Sequence, residues 1–412
     1  MSTPPLAAPA GAAGPAVRKV RPAFVAQAGL VGSALAVYVL VLLQGTTHHQ
    51  DLDAYLTAGR AIWQGQPLYA PFLHHPFPDA ALRPAYIYPP AFALLVAPLA
   101  ALPDAAANVV WLLIGQAALG AAVIITLRWL RPPAWALTAM LCATLTFYPL
   151  WVDAAQGQAN LLVVLLVTAG IAGIVQGKPR FGIALGAAAA LKLTPAILLV
   201  WLLLDRRFRE AAWMIGAFAA LTSAAALVRF HDTLAFFGQV LPALSNGTAF
   251  YANQSLAGVV LRLFSSNPYT TPWIALAWAF LLPAIGAIPL IAFWFWRAAD
   301  QPALARAVAF IPLLPLLSSV TWPHHLVILL PVIWIGAIAL AERNWPPLPT
   351  AGLAGLLVIF SVVARWPVGP AFGQAGFRPA QTGDPMVIVA ANAFFLGTLI
   401  LFLFAPWLLR SR

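Results

Sequence analysis

Asp51 and Asp53 lie in the stretch HHQDLDAYLTAGRAIWQGQPLY (residues 48–69) and are two of only eleven acidic residues in a chain of 412. They follow directly on a long apolar segment, residues 24–43. A carboxylate at a membrane surface is costly or idle unless something uses it, so each is a candidate functional group. From Asp51 to Trp63 the pattern suits a surface helix, with Leu52, Tyr55, Leu56 and Ala58 expected to face the bilayer. Gly65-Gln66-Pro67 then turns the chain. Asp51 and Tyr55, at i and i+4, share a face and can meet one ligand, and the carboxylate suits a general base for a hydroxyl nucleophile. The competing reading is a carboxylate that caps a helix N-terminus. Two carboxylates without further ligands are thin support for a metal site.

Other polar groups stand out against the same apolar background. Lys192, inside GIALGAAAALKLTPAILL, is the most costly residue of the chain if it sits at membrane depth, where insertion of a central lysine costs about 3 kcal/mol. It is expected to pair with an anion, either a protein carboxylate or a lipid phosphate. Gln156-Gly157-Gln158-Ala159-Asn160 sets three carboxamides at the mouth of an apolar run. Carboxamides donate and accept, which suits sugar hydroxyls, although Asn160 also suits a helix cap. Tyr86 and Tyr88, ahead of Pro89-Pro90, fit the interfacial aromatic belt, with a ligand-facing Tyr88 as the sharper alternative. Asn253-Gln254-Ser255 precedes Arg262; Ser255 suits a cap and Arg262 a fork-like phosphate contact. Thr321-Trp322-Pro323-His324-His325 suggests a hydrogen-bonding histidine pair, because adjacent helical histidines point about 100° apart and do not easily share one zinc ion.

The elements that must carry these groups are apolar helices. Apolar residues make up 62% of the chain, charged residues 8% and aromatics 12%, against about 25% charged residues in a soluble domain. The expectation is an all-α, polytopic transmembrane helix bundle of about 10–12 membrane segments. Candidate spans are residues 23–44, 104–127, 133–149, 158–176, 211–228, 272–296, 304–318, 325–341, 348–364 and 386–408. Residues 89–102 form too short a run to cross, and residues 181–204, basic at both ends, are expected to be a broken hairpin turning at Lys192–Pro195. The rival is that both segments cross. The net charge of +11 is spread over short connections, as the positive-inside rule predicts, and is not a nucleic-acid signal. Residues 1–20 read as a disordered cytoplasmic tail and 21–412 as one membrane domain, with outer loops near 45–87, 229–270 and 365–385. The first apolar run is too long for a cleavable signal, and the lone Cys142 can form no intramolecular disulfide.

Taken in order, Asp51-Leu-x-x-Tyr55 with Gly65 and Tyr69, Tyr88-Pro-Pro, Gly157-Gln-x-Asn160, Lys192-x-x-Pro195, Asn253-Gln-Ser255 and Trp322-x-His-His325 resemble glycosyltransferase family 87 (GT87). That family of polyprenol-phosphate-dependent enzymes includes the mycobacterial mannosyltransferases of phosphatidylinositol mannoside synthesis. The resemblance runs from about residue 48 to residue 331. It implies a GT-C fold whose large first outer loop holds the catalytic carboxylate, a polyprenyl-phosphate sugar donor, most simply mannose, and a lipid or glycan acceptor. By motif position the catalytic carboxylate is Asp51, with Asp53 the lesser candidate. Asp53, Tyr55, Tyr88, Gln158, Asn160, Asn253 and Gln254 become substrate-binding candidates, and Lys192, Arg262, His324 or His325 would meet the leaving phosphate. A single displacement implies inversion, with neither metal nor cofactor. The implied location is the extracytoplasmic face of a bacterial inner membrane. One departure is Ser318-Ser319, where the family often has Ser-Pro. A second reading, a transporter or flippase for an anionic lipid, fits Lys192 and the broken helices; against it, no repeat is visible and the polar motifs gather on one face. A third is a non-catalytic partner in envelope assembly.

Overall fold

The computed structural model describes residues 22–44, 50–74, 85–361, 389 and 391–409. The expected tail at 1–20, residues His48 and His49 and the expected loop 365–385 lie outside the described residues. Every element among the described residues is helical. The chain opens with α1 (Pro22–Gln44), α2 (Gln50–Trp63), α3 (Ala70–His74), α4 (Pro90–Val96) and α5 (Asp104–Leu130). It continues through α6 (Ala134–Leu145), α7 (Tyr148–Gln156), α8 (Asn160–Val175), α9 (Gly182–Leu191), α10 (Leu198–Leu204) and α11 (Phe208–Val228). Then come α12 (Phe230–Ala235), α13 (Leu241–Ser245), α14 (Leu256–Phe264), α15 (Leu282–Arg297), α16 (Ala303–Phe310) and α17 (Leu313–Leu317). Last are α18 (Leu330–Glu342), entered through a 3₁₀ run at Pro323–Leu329, α19 (Pro347–Ser361) and α20 (Ala393–Leu408).

Among the described residues, five helices are long and apolar enough to cross a membrane: Pro22–Leu43, Asp104–Leu130, Phe208–Val228, Ala279–Arg297 and Pro323–Glu342. The pair α6–α7, bent by 47°, makes a sixth candidate, and six further apolar helices have 10–17 residues. The protein is a multi-pass membrane protein. Several of the expected spans are shorter or broken for local reasons. Pro312 interrupts the 304–318 segment between α16 and α17. Gly157, at φ +65°, ends α7 in a left-handed cap before α8 begins; a residue with a Cβ resists that conformation.

The 181–204 segment is a hairpin whose two ends lie at the same end of the bundle. A Cβ on Gly182 would collide with the Glu210 carbonyl, and one on Gly186 with the Met214 carbonyl. Backbones that approach this closely, in this order, mean that α9 runs alongside α11 in the same direction. Lys192 then breaks the helix with extended backbone (φ −148°, ψ 123°). Pro195 opens a 3₁₀ turn, and α10 returns to Asp205, three residues before α11 starts. The apex of the hairpin therefore carries Lys192 inside the bundle. At the open end the Arg306 guanidinium pairs with Asp205, which also accepts from Trp201 Nε1 at 2.8 Å. Arg128, Lys178, Arg206 and Arg207 gather at that same end, because α5 and α8 run in parallel past Trp111–Gly157 and Gly115–Leu161 and α8 folds back on α9 at Gly173–Phe181.

Among the described residues four apolar clusters form, two of them large. The larger one fills the bundle around Val164, Trp201, Phe310, Leu326 and Trp334. The smaller one caps the opposite end and is rich in aromatic rings: Tyr55, Tyr69, Phe72, Tyr86, Tyr88, Phe92, Trp111 and Phe236. Leu52, Tyr55, Leu56 and Ala58 are buried in this cap, at 2% exposure or less, so the face expected to meet lipid faces protein. The reason is Gly59, whose missing side chain lets α2 lie flat on the 96–100 turn, where a Cβ would come within 2.6 Å of Ala100 Cβ.

The hairpin packing gives a direct test. Gly186→Leu forces bulk between α9 and α11 and is expected to destabilise the detergent-solubilised protein by about 1–3 kcal/mol, the usual range for overpacking. Gly216→Leu, at a position with open space around its Cβ, should leave it unchanged. Thermal unfolding followed by tryptophan fluorescence would compare them, and equal midpoints would contradict the packing.

Candidate active site

At the capped end, α2, the 85–89 strand-like entrance to α4, the α7–α8 turn, the hairpin apex and the 3₁₀ start of α18 converge on a single layer of carboxamides. Gln158 is its first member. Its Oε1 accepts from the Tyr55 hydroxyl at 3.0 Å and the Tyr88 hydroxyl at 3.1 Å. With the carbonyl oxygen held by two phenols, the amide nitrogen is left for Asp51, with which Gln158 also hydrogen-bonds. Tyr55 is fixed in turn by edge-on contacts with Tyr88 and Phe92, at 5.1 and 4.8 Å between ring centroids.

Asn160 is the second member. Its Nδ2 donates to Asp153 Oδ1 at 2.8 Å and to the His324 carbonyl at 3.3 Å, while its Oδ1 accepts from Lys192 Nζ at 2.6 Å. Lys192 Nζ also lies 5.3 Å from the centre of the Tyr88 ring, within cation–π range. Beyond the ammonium is a cavity lined by Asn160, Lys192, Thr194, Thr321 and His325 among apolar neighbours.

The two carboxylates of α2 part company. Asp51 is half-buried against this layer, whereas Asp53 is exposed. Burial pushes the Asp51 carboxyl above its ordinary range; the Gln158 hydrogen bond and the Lys192 charge pull the other way. Tyr88 is raised above its ordinary value by burial and by the neighbouring Asp51 charge.

The paired histidines stack edge-on at 4.6 Å. His325 Nδ1 accepts from the Trp322 amide at 3.3 Å and its ring borders the cavity. His324 is buried, and its Nε2 has no hydrogen-bond partner.

Asn253, Gln254 and Arg262 lie apart from this cluster and hold loops in place. Asn253 Oδ1 accepts from the Thr321 amide at 2.9 Å, and its Nδ2 donates to the Ser319 carbonyl at 3.1 Å. Gln254 bridges to α20, donating to the Ala391 carbonyl at 2.8 Å and accepting from the Phe395 amide at 3.0 Å. The guanidinium expected to meet phosphate donates instead to the Phe250 carbonyl at 2.8 Å, the Asn253 carbonyl at 2.9 Å and Asn392 Oδ1. Ser255 caps α14, accepting from the Gly258 amide at 3.1 Å. Together these bonds anchor residues 319–321, the approach to the histidine pair.

The residue that sequence reasoning missed is Asp153. It is 1% exposed and belongs to the same layer through Asn160. Its signal was present: it is one of the eleven acidic residues, set in an apolar run seven positions before Asn160. Thr194 and Thr321 at the cavity wall fall inside motifs the sequence displays but received no role there, and nothing local distinguishes them from other threonines.

Comparison with known proteins gives concordant results. The model of glycosyltransferase family 87 matches residues 86–319, a stretch that includes Tyr88, Asp153, Asn160 and Lys192 but not Asp51 or the histidine pair. A polyprenol-phosphate-mannose-dependent alpha-(1-2)-phosphatidylinositol mannoside mannosyltransferase of Mycobacterium tuberculosis (strain ATCC 25618 / H37Rv) is 30% identical over 82% of this chain and 80% of its own length. The corresponding pentamannoside mannosyltransferase of Mycobacterium tuberculosis (strain CDC 1551 / Oshkosh) is 29% identical over 86% and 83%. An alpha-(1->3)-arabinofuranosyltransferase of the same strain is 27% identical over 64% and 61%. Among solved structures, ArnT from Cupriavidus metallidurans bound to undecaprenyl phosphate aligns over 92% of this chain and 78% of its own, with 16% identity and a TM-score of 0.42. On the extent of the family match and the identity to its mannosyltransferase relatives, this chain belongs to glycosyltransferase family 87 and is a membrane glycosyltransferase.

Proposed function

We propose that the protein transfers mannose from a polyprenyl-phosphate donor to a hydroxyl of a lipid or glycan acceptor, with inversion, and with Asp51 as general base. The observation that carries this reading is the Asp51 carboxyl and the Lys192 ammonium meeting one layer of carboxamides from opposite sides, while Asp53 faces away. Mannose and the polyprenol-phosphate carrier are taken from the names of the mannosyltransferase relatives, which match more of the chain than the arabinofuranosyltransferase does.

In this reading Asp51 accepts the proton of the acceptor hydroxyl as its oxygen bonds to the anomeric carbon. The bond from that carbon to the phosphate oxygen breaks on the opposite face, and polyprenyl phosphate leaves with the electron pair. Lys192 and His325, at the cavity wall, meet the charge that develops there, and preorganised charges of this kind act strongly where water is excluded. Gln158, held by Tyr55 and Tyr88, orients Asp51; Asn160 orients Lys192. Arg262, Asn253 and Gln254 support the loops around the site. Basic turns gather at the far end of the bundle, so the positive-inside rule supports an extracytoplasmic site in a bacterial cytoplasmic membrane.

With the purified protein in lipid nanodiscs, polyprenyl-phosphate mannose and a membrane lipid extract, wild type is expected to form mannosylated product and to keep doing so in excess EDTA. Asp51→Asn should lower the rate by about 10²–10⁴-fold, the usual contribution of a general base, and Asp53→Asn should not. Product persisting in Asp51→Asn would sink the assignment, and, with the protein in sealed vesicles, lipid translocation without a new glycosidic bond would favour a carrier. A pH profile adds a second test. Because burial raises the Asp51 carboxyl, kcat/KM should fall on acidification with a midpoint above the ~3.9 of a free aspartate; a midpoint at or below that value would contradict the base.

A further inference from the structure

The mechanism above gives no task to Asp153, a carboxylate buried within the carboxamide layer. We infer that Asp153 is a positioning residue which, acting through Asn160, orients the Lys192 ammonium and balances its charge so that the site can hold an anionic phosphate. The inference rests on the proposed function, in which Lys192 meets the leaving phosphate.

The geometry is a chain of two short hydrogen bonds. Asp153 accepts from Asn160 Nδ2 at 2.8 Å, and Asn160 Oδ1 accepts from Lys192 Nζ at 2.6 Å. A carboxylate on the nitrogen side of an amide polarises it and strengthens the acceptor on the oxygen side. It also removes the ambiguity of an amide flip: with Nδ2 committed to Asp153, Oδ1 can only face Lys192. The ammonium has three donors. One is fixed by Asn160 and the Tyr88 ring lies beside it, so the rest point toward the cavity shared with Thr194, Thr321 and His325.

Asp153 itself does not touch that cavity. It borders a different one, on the side of α5, lined by Asn108, Trp111, Gln116 and Gln158. Asp153 therefore meets the Lys192 cavity only through Asn160. The backbone explains its position. The left-handed turn at Gly157 reverses the chain between α7 and α8, and the Gln158 amide bonds back to the Asp153 carbonyl at 3.0 Å. This turn brings Asp153 and Asn160 side by side.

The titratable groups that face Lys192 are Asp51 from α2, Asp153 from α7, Tyr88 ahead of α4, and His324 and His325 at the start of the last buried span. Asp51 has its own work in the transfer, and neutral imidazoles and phenols supply no negative charge. Asp153 is the remaining source of negative charge.

The test is binding of polyprenyl phosphate to the full-length protein in nanodiscs at pH 6.5 and pH 8.5. Asp153→Asn keeps the shape and can still accept from Asn160, but it removes the charge. Lys192 then gives up its proton more readily as pH rises. The variant should bind within about twofold of wild type at pH 6.5 and about tenfold more weakly at pH 8.5, as follows when a neighbouring charge shifts a titration by about one unit. A purely structural role predicts the same loss at both values, and that outcome would overturn the inference. The swap Asp153→Asn with Asn160→Asp restores one negative charge and keeps a donor–acceptor pair at 153 and 160. It should recover wild-type binding at pH 8.5, and failure to recover counts against charge balance. Lys192→Ala serves as the reference. If it binds polyprenyl phosphate as well as wild type does, Lys192 has no phosphate to meet, and both its proposed role and that of Asp153 fail. If it binds weakly while Asp153→Asn matches wild type at both pH values, only the inference about Asp153 fails.

Discussion

A lysine ammonium inside an apolar bundle is the constraint around which this end of the protein is built. At the centre of a membrane helix such a group costs about 3 kcal/mol, and burial without partners costs far more. The chain meets that cost in three ways. It breaks the helix at Lys192–Pro195, so the side chain leaves a hairpin apex instead of a helix wall. It supplies a carboxamide acceptor at 2.6 Å and an aromatic face at 5.3 Å. It also sets two carboxylates, Asp51 and Asp153, within electrostatic reach. The close glycine-mediated packing of α9 on α11 follows from the same need, because a displaced hairpin would withdraw the ammonium from these partners.

The aromatic cap and the loop clamps serve the layer that Lys192 joins. Tyr55 and Tyr88 are buried rings whose hydroxyls find one acceptor, Gln158 Oε1; a buried phenol usually needs such a partner. That requirement turns a packing cluster into a positioning device for Asp51. On the other side, Asn253, Gln254 and Arg262 pair with backbone groups of otherwise irregular loops. Irregular backbone at depth survives only when its polar groups are paired, and these side chains supply the pairs. Asp232 does the same at the outer edge. It accepts from the Leu68 amide at 2.9 Å and from Arg229 Nε at 2.6 Å, while Arg229 also reaches the Gln66 carbonyl. The turn that follows α2 is thereby tied to α12.

Much of the architecture was legible in the residues. Apolar runs and scarce charge require a helical membrane protein, since only closed hydrogen bonding survives in lipid. Pro195 beside a lysine marked a break, and basic residues at both ends of 181–204 marked a hairpin. The short 89–102 segment stayed short, as two small helical pieces. The order of small polar motifs carried the family. Less legible were the spans themselves, because a hydropathy run does not reveal where Pro312, or the break at Thr146–Phe147, will divide it.

What the sequence by itself determined is the membrane class, the family and the set of polar residues too costly to be idle. Only the tertiary structure decided which of them share a site. Asp51 and Asp53 are indistinguishable by type and nearly so by position, yet a helix rotates them about 200° apart, and the packing of Gly59 selects which one turns inward. Arg262 and Lys192 are both cations in apolar surroundings; one finds carbonyls and Asn392, the other Asn160 and an open cavity. Asp153 joins the layer because the left-handed turn at Gly157 brings it within hydrogen-bond reach of Asn160. Partner choice depends on distances between segments remote in sequence, and local pattern carries no record of those distances.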